Sequence, residues 1–152
     1  MGNIIRYVHT NIIARDWKKL VRFYIDVFHC TPIYPERKLQ GEWLSKITGI
    51  DNVKIEGMHL ALPGFENGPT LEVFSYTPAE PADTLPPINR QGLGHLAFHV
   101  DSVEAVLTTL LANGGEPLGD LIVRDYGELG TLTAVYARDP EGNIIEIQNW
   151  QK

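Results

Sequence analysis

The fold is indicated by the stretch Gly94-His-Leu-Ala-Phe-His-Val-Asp101, because an earlier stretch of the chain has the same pattern. That earlier stretch is Tyr7-Val-His-Thr-Asn-Ile-Ile-Ala-Arg-Asp16. Both are apolar and rich in β-branched residues, and apolar side chains at helical spacing follow each of them. Each aspartate stands where it would accept hydrogen bonds from the first turn of the following helix. Each copy therefore predicts a strand, an N-cap at Asp16 or Asp101, and a helix.

Each copy also closes with an apolar strand that carries one glutamate, Glu72 in the first and Glu146 in the second. His9 and His95 are separated by twelve more residues than the two glutamates are, so the first copy requires an insertion. Residues 41–50 read as a short extra helix that supplies it. An internal repeat of this kind predicts one structural module built twice.

The pattern of alternation and helical spacing gives the order βαβββ in both halves. The proline-rich segment 77–92 has little periodicity and is predicted to link them, and residues 139–143, Asp-Pro-Glu-Gly-Asn, are typical of a tight turn before the last strand. We expect an α+β fold with modules at 1–76 and 93–152. The predicted strands lie at 4–14, 31–37, 54–62, 70–76, 94–100, 116–124, 131–138 and 143–149, and the predicted helices at 16–28 and 102–113.

Composition excludes several classes of partner. The formal net charge of −6 and the absence of a basic cluster argue against binding to nucleic acid. No window approaches the roughly 20 apolar residues of a membrane span. The single cysteine, Cys30, excludes an internal disulfide and is read as a packing residue. Together with an N-terminus unlike a signal peptide, these features predict a cytoplasmic protein with a small-molecule substrate.

Four side chains of the types that bind metals stand at equivalent places in the repeat: His9, Glu72, His95 and Glu146. Side chains two residues apart share a face of a strand, so each of the four points away from its apolar neighbours. Taken singly, such a histidine is more often a hydrogen-bonded structural residue, and such a glutamate is usually solvated. Two matched pairs favour one divalent-metal site instead.

Five further side chains are predicted to face the same cleft and to contact a substrate. Some lie two or four residues along the strands that carry the candidate ligands, and the others belong to strands of the first module. The alternative for Asn11 and His99 is a hydrogen-bonded or solvated position on the sheet. The predicted substrate-binding residues are Asn11, His59, Phe74, Tyr76 and His99.

Several motifs resemble the vicinal oxygen chelate superfamily, which includes glyoxalases, bleomycin-resistance proteins and extradiol dioxygenases. The motifs are residues 9–16 with 23–27, the stretch 94–101, and the closing strand 139–147. The resemblance covers essentially the whole chain. It implies paired βαβββ modules that form an open half-barrel around one metal.

Carried over by position, the metal ligands of the superfamily fall on His9, Glu72, His95 and Glu146, and this set looks like that of bacterial glyoxalase I. The resemblance implies a divalent metal (Ni, Co, Zn, Mn or Fe) and a lyase or isomerase that moves a proton beside two chelated oxygens. Glu146 is the expected base, with Glu72 a ligand or second catalytic carboxylate. The arginine that holds glutathione in glyoxalase I is replaced here by Ile13, which argues against glutathione as the thiol.

Two other functions remain open at this stage. One is an Fe(II) extradiol-type dioxygenase, which uses two histidines and one carboxylate, and the other is a metal-free protein that binds a small molecule such as an antibiotic. The resemblance also implies a homodimer, whose modules pair either within one chain or between two chains.

Overall fold

The computed structural model describes residues 2–152, which form nine strands, three α-helices and one 3-10 turn. The chain divides into two compact units, the first comprising the residues up to Ile25 with His29–Pro81, and the second comprising Asp26–Phe28 with Ala82–Lys152. The elements in chain order are β1 (His9–Ile13), α1 (Trp17–Phe28), β2 (Thr31–Gln40), α2 (Glu42–Thr48), β3 (Lys54–Ala61), β4 (Thr70–Thr77), β5 (Leu96–His99), α3 (Val103–Ala112), β6 (Glu116–Pro117), β7 (Ile122–Asp125), the 3-10 turn Gly127–Leu129, β8 (Thr131–Arg138) and β9 (Ile144–Gln151).

The first unit contains a four-stranded sheet in the order β1-β4-β3-β2. Its first and last strands, β1 and β4, run parallel, and the other pairs are antiparallel. The inserted helix α2 covers one end of this sheet, where Leu44 joins Val53, Ile55 and Phe74 in an apolar cluster. The extra helix predicted at 41–50 is therefore present, and it has a packing role.

The second unit repeats that topology in the order β5-β9-β8-β6, with β7 paired to β8. Again the first strand, β5, runs parallel to the last, β9, and the remaining pairs are antiparallel. The α+β class with two sheets and few helices is confirmed, and the order of strands is the one expected from a repeated βαβββ module.

One side-chain contact occurs at the same place in both sheets. The Ser75 hydroxyl donates to the carbonyl of Ala14 at 2.7 Å, and the Asn149 amide donates to the carbonyl of Val100 at 2.7 Å. Both donors lie three residues after the glutamate of their unit, and both acceptors lie five residues after its histidine. Each contact fixes the end of the histidine strand against the glutamate strand.

The predicted cap of α1 is confirmed. The Asp16 carboxylate accepts a hydrogen bond from the backbone N–H of Lys19 at 3.2 Å, and the helix buries Leu20 and Tyr24 completely. It ends at His29, whose left-handed backbone lets its N–H reach the carbonyls of the last turn. Cys30 follows as a buried thiol, and burial raises its pKa to about 12, as its predicted packing role requires.

The predicted cap of α3 at Asp101 is wrong. Ser102 occupies the N-cap position, and its hydroxyl accepts the backbone N–H of Ala105 at 3.2 Å. Serine and aspartate are about equally good caps, so their adjacency left the start of the helix open by one residue.

The single strand predicted at 116–124 is also wrong, because the structure has two short strands there, β6 and β7. The backbone N–H groups of Leu118 and Gly119 both lie 3.3 Å from one acceptor, the carbonyl of Tyr136. Two donors opposite one acceptor interrupt a ladder as a β-bulge does.

Six strands differ from the prediction only in length, two of them, β3 and β4, by a single residue and the last, β9, by one residue at its start and two at its end. The first begins at His9 rather than at residue 4, β5 begins at Leu96 so that His95 just precedes it, and β2 extends to Gln40. Among residues 2–152, no helix is long and apolar enough to cross a membrane. The turn at 139–143 is present: Asp139 is buried, and its carboxylate accepts the backbone N–H groups of Glu141 and Asn143.

Gly57 on β3 allows the ring of Phe74 to lie directly over the strand. A Cβ atom at Gly57 would lie 2.2 Å from the carbonyl oxygen of Val73 and 2.5 Å from a Phe74 ring carbon. We therefore expect Gly57→Ala to lower the free energy of unfolding by about 1–3 kcal/mol through overpacking. Urea denaturation measures the change, and Gly119→Ala is the control, since a Cβ atom there meets nothing within 4 Å. Equal midpoints for the two variants would contradict the prediction.

Candidate functional site

In the first unit, the candidate site is centred on the carboxylate of Glu72, a residue only 8% exposed. Asn11 on β1 and His59 on β3 lie directly opposite it on the two neighbouring strands. His9 Nε2 is 2.9 Å from Oε1 and His59 Nε2 is 2.8 Å from Oε2. The amide of Asn11 donates to Oε1 at 3.2 Å. Both oxygens of this buried carboxylate are therefore occupied by protein donors.

The ring of His59 is held edge-on between two aromatic neighbours. Its centroid lies 5.7 Å from that of Phe74 and 6.1 Å from that of His9. Burial is the largest influence on the pKa of His59 and lowers it, while the Glu72 carboxylate raises it and the charges of Arg37 and His9 lower it. A neutral His59 imidazole that donates its Nε2–H to Glu72 fits these contacts.

In the second unit, the matching carboxylate is Glu146 on β9. His95 Nε2 lies 3.2 Å from its Oε1, and the Gln148 amide donates to its Oε2 at 3.3 Å. The ring of Tyr136, on the neighbouring strand, packs edge-on against His95 with centroids 5.0 Å apart. Burial raises the pKa of Tyr136, and the charge of Glu146 raises it further, so the phenol stays protonated at neutral pH.

The two histidine–glutamate pairs occupy the same register in their sheets. Glu72 lies opposite Asn11, two residues after His9, and Glu146 lies opposite Ala97, two residues after His95. This identity of register is much stronger evidence for a repeated site than the spacing in the sequence alone.

The strand on the other side of each glutamate strand also carries a residue at an equivalent position. His59 lies directly opposite Glu72, and Tyr136 lies directly opposite Glu146. Equivalent positions thus carry a histidine in one unit and a tyrosine in the other.

The two carboxylates differ in how firmly they are held. Three donors contact Glu72 at 2.8–3.2 Å, whereas Glu146 has two contacts at 3.2 and 3.3 Å. The Glu146 side chain is also somewhat more exposed, at 16% against 11%. Glu146 is therefore the carboxylate with more freedom to exchange partners.

Each histidine–glutamate pair fits a divalent metal ion in two respects, the chemistry of its donor atoms and the distance between them. Imidazole nitrogens and carboxylate oxygens suit Mn, Fe, Co, Ni and Zn. Two ligand atoms about 2.1 Å from one ion and at a right angle to each other lie about 3.0 Å apart, and the two pairs are separated by 2.9 and 3.2 Å. In the part of the chain that the structure describes, no three His, Cys, Asp or Glu side chains gather into a metal-binding group. Each pair taken by itself therefore fits a metal ion. The convergence of all four ligands on one ion stays a prediction.

The other predicted residues are distributed unevenly. Asn11 and His59 contact Glu72. Phe74 touches His59 but belongs, at 7% exposure, to the apolar cluster beneath α2, against which Tyr76 also packs. His99 is exposed at the end of β5, opposite Gln148. Direct substrate contact by these five side chains stays a prediction.

Sequence reasoning missed Tyr136 and Gln148. Gln148 lies two residues after Glu146 and so shares its strand face, which was a usable signal. Tyr136 is placed by cross-strand register, because it is the partner of Glu146. Extending the repeat to the third strand, from His59 in the first copy, would have indicated it.

The comparisons with known proteins agree with this architecture. The family model described as Glyoxalase/Bleomycin resistance protein/Dioxygenase superfamily matches residues 6–147. No curated protein matches the chain. Among solved structures, a glyoxalase family protein from Bacillus cereus is 20% identical, with a TM-score of 0.85 over 99% of this chain and 97% of that one.

Two further structures share the fold. A glyoxylase/bleomycin resistance protein/dioxygenase domain from Frankia is 18% identical, with a TM-score of 0.61 over 98% of this chain and 100% of that one. The fosfomycin resistance protein FosX from Listeria monocytogenes, in complex with Mn(II) and a dihydroxypropylphosphonic acid, is 18% identical, with a TM-score of 0.54 over 95% and 92%. At these identities the likeness is one of fold.

Proposed function

Because the chain belongs to the glyoxalase/bleomycin resistance protein/dioxygenase superfamily, we propose that it is a divalent-metal-dependent lyase or isomerase. It moves a proton next to two adjacent oxygens of a small substrate. The proposed ligands are His9, Glu72, His95 and Glu146. The observation that supports them best is the histidine–glutamate pair at one register in both sheets.

A bound divalent cation would supply Lewis-acid stabilisation of the negative charge that develops on the substrate oxygens. The protein residues have separate tasks. Glu72 keeps a fixed geometry, because His59 and Asn11 would still donate to it when the His9 nitrogen binds the metal. Glu146, held more loosely, has the freedom to carry the proton. His9 and His95 act as neutral imidazoles, each with its Nε2 free of a proton when it serves as a ligand.

In the proposed reaction, a Glu146 oxygen takes the proton from the carbon beside the carbonyl group. The electron pair of that C–H bond forms the C=C bond of an enediolate, and the carbonyl oxygen takes the negative charge. The proton of the adjacent hydroxyl passes to that oxygen, and the same carboxylic acid returns its proton to the neighbouring carbon. Substrate and product therefore have the same composition. Tyr136, protonated beside His95, lies directly opposite the proposed base Glu146 on the neighbouring strand.

Metal analysis of the purified protein tests the proposal, together with a screen of 2-oxo and 1,2-dicarbonyl compounds for exchange with solvent deuterium. Nickel, cobalt, zinc or manganese with exchange supports it. A protein with no metal and no exchange would instead be a binding protein. The homodimer implied by the superfamily stays a prediction, which sedimentation equilibrium checks.

A second candidate function is an Fe(II) dioxygenase, and one observation favours it. Within the first unit, His9 and His59 each contact Glu72, so the ligand types of non-haem Fe(II) oxygenases are neighbours there, although the three side chains do not gather into a metal-binding group. Each histidine contacts a different oxygen of Glu72, however, so the two imidazoles bracket the carboxylate. Consumption of O₂ with an aromatic diol, and no proton exchange, would select this function.

His59 should support the metal through Glu72. Outer hydrogen-bond partners of metal ligands typically contribute 10–100-fold to affinity, so we expect His59→Leu to weaken metal binding by about that factor. His59→Gln keeps a donor and should recover most of the loss. Competition with a chromophoric chelator measures the affinity, and His29→Asn, at a left-handed cap that asparagine tolerates, is the control. Wild-type affinity in His59→Leu would refute the supporting role.

A further inference from the structure

We propose that Arg37 binds a carboxylate group of the substrate, which makes the substrate a small organic acid with vicinal oxygens at its other end. The inference rests on the proposed function, which places those oxygens beside Glu72. It assigns to a residue of β2 a role in specificity.

The register of the first sheet puts Arg37 on the same face as the candidate site. Arg37 lies opposite Gly57 on β3, and Gly57 lies opposite Phe74 on β4. Directly opposed residues share a face of the sheet, and so do residues two apart on one strand. His59 and Glu72 are two residues along from Gly57 and Phe74. Arg37 is therefore about 7 Å along the strand direction from the level of Glu72, and two strands away, or about 10 Å.

The surface between Arg37 and Glu72 offers no competing partner for a charge. Gly57 has no side chain, and the ring of Phe74 that lies over it is buried in the apolar cluster beneath α2. A buried apolar ring lowers the local dielectric constant beside the site, which strengthens electrostatic contacts made next to it.

The guanidinium group is held in place but has donors to spare. The strand β2 has an irregular register between Ile33 and Arg37, and the Arg37 Nη1 donates to the carbonyl of Pro35 within that irregular segment. Of the five N–H donors of an arginine, this uses one. Within residues 2–152, no carboxylate lies at salt-bridge distance from Arg37. The fork that binds a carboxylate through two parallel hydrogen bonds therefore remains available.

An anionic group bound to Arg37 would lie on the same face of the sheet as the imidazole of His59 and the carboxylate of Glu72. Lys38, the next residue, lies opposite Glu56 and points to the other face.

Two chelating probes that differ in one distal charge test the inference. Acetohydroxamate binds metals through two adjacent oxygens and has no further charge, and succinic acid monohydroxamate adds a carboxylate. With the protein loaded with Co(II), the visible spectrum reports the binding of each probe. We expect the wild type to bind the carboxylate probe about 10–100-fold more tightly, as a charge-assisted pair gives.

In Arg37→Met this preference should vanish, while the affinity for acetohydroxamate and the Co(II) loading stay unchanged. Arg37→Lys should retain part of the preference, and Lys38→Met, the matched control on the other face, should retain all of it. A preference that survives in Arg37→Met, or is absent from the wild type, overturns the role of Arg37 alone. A wild type that takes up no Co(II) overturns the proposed function and this inference together.

Discussion

Substituting His95 by alanine should remove most of the divalent metal from the purified protein. His95 Nε2 lies 3.2 Å from Glu146 Oε1, and the equivalent pair in the first unit has the same register. Loss of an imidazole ligand takes away a direct bond to the ion. The affinity should therefore fall by more than the 10–100-fold that typically follows loss of a ligand's hydrogen-bond partner. Plasma emission analysis of protein dialysed against a defined metal buffer measures the metal content.

His99→Ala is the matched control for metal content, since it removes an exposed histidine four residues later, at the end of the strand that His95 precedes. It should leave the stoichiometry unchanged. Circular dichroism shows whether each variant is folded. A folded His95→Ala protein that retains the metal content of the wild type would rule out His95 as a ligand, and with it the proposed metal site.

The fold was predictable from sequence to the extent that local physics determines it. Asp16 caps α1 as predicted, because neither of its neighbours, Arg15 and Trp17, is a residue that caps helices. The repeat was predictable because the same strand, cap and helix pattern occurs twice. The start of α3 was not, because Asp101 and Ser102 compete for one role and only the three-dimensional path of the chain selects between them.

The strand predicted at 116–124 failed for a different reason. Alternation in the sequence indicates that a segment can be extended, but pairing depends on the partner strand. There, one carbonyl, that of Tyr136, faces the N–H groups of both Leu118 and Gly119. Such a mismatch leaves no trace in hydrophobic periodicity.

The candidate site was likewise predictable only where it depends on alternation along a single strand. Alternation correctly put Glu72 and Asn11 on faces where they meet. It could not show that His59 contacts Glu72 directly, or that Tyr136 takes the equivalent position beside Glu146, because both depend on register between strands. The two carboxylates also differ in their hydrogen-bond contacts, and the proposed roles of fixed ligand and proton carrier rest on this difference. It is likewise a property of the folded chain.

Substituting Glu146 by glutamine tests whether this carboxylate, and not Glu72, carries the substrate proton. A carboxylate that moves a substrate proton is needed in the reaction itself, so Glu146→Gln should lower kcat by about 10²–10⁴-fold, the usual contribution of general acid–base catalysis. Substrate affinity should change far less. Solvent deuterium should enter the carbon next to the vicinal oxygens in the wild type, and hardly at all in the variant, as nuclear magnetic resonance of the recovered substrate would show.

Glu72→Gln is the matched comparison, because it makes the same change in the carboxylate that three protein donors hold. An amide there has one oxygen instead of two and presents an N–H₂ group toward a histidine donor, so the main expected loss is of metal affinity. Deuterium exchange should return when Glu72→Gln is saturated with metal and should not return in Glu146→Gln. The reverse result, recovery in Glu146→Gln alone, would make Glu72 the base. That outcome would mean that the tightly held carboxylate exchanges its partners during turnover, and that the contacts from His59 and Asn11 tune its reactivity instead of fixing its position.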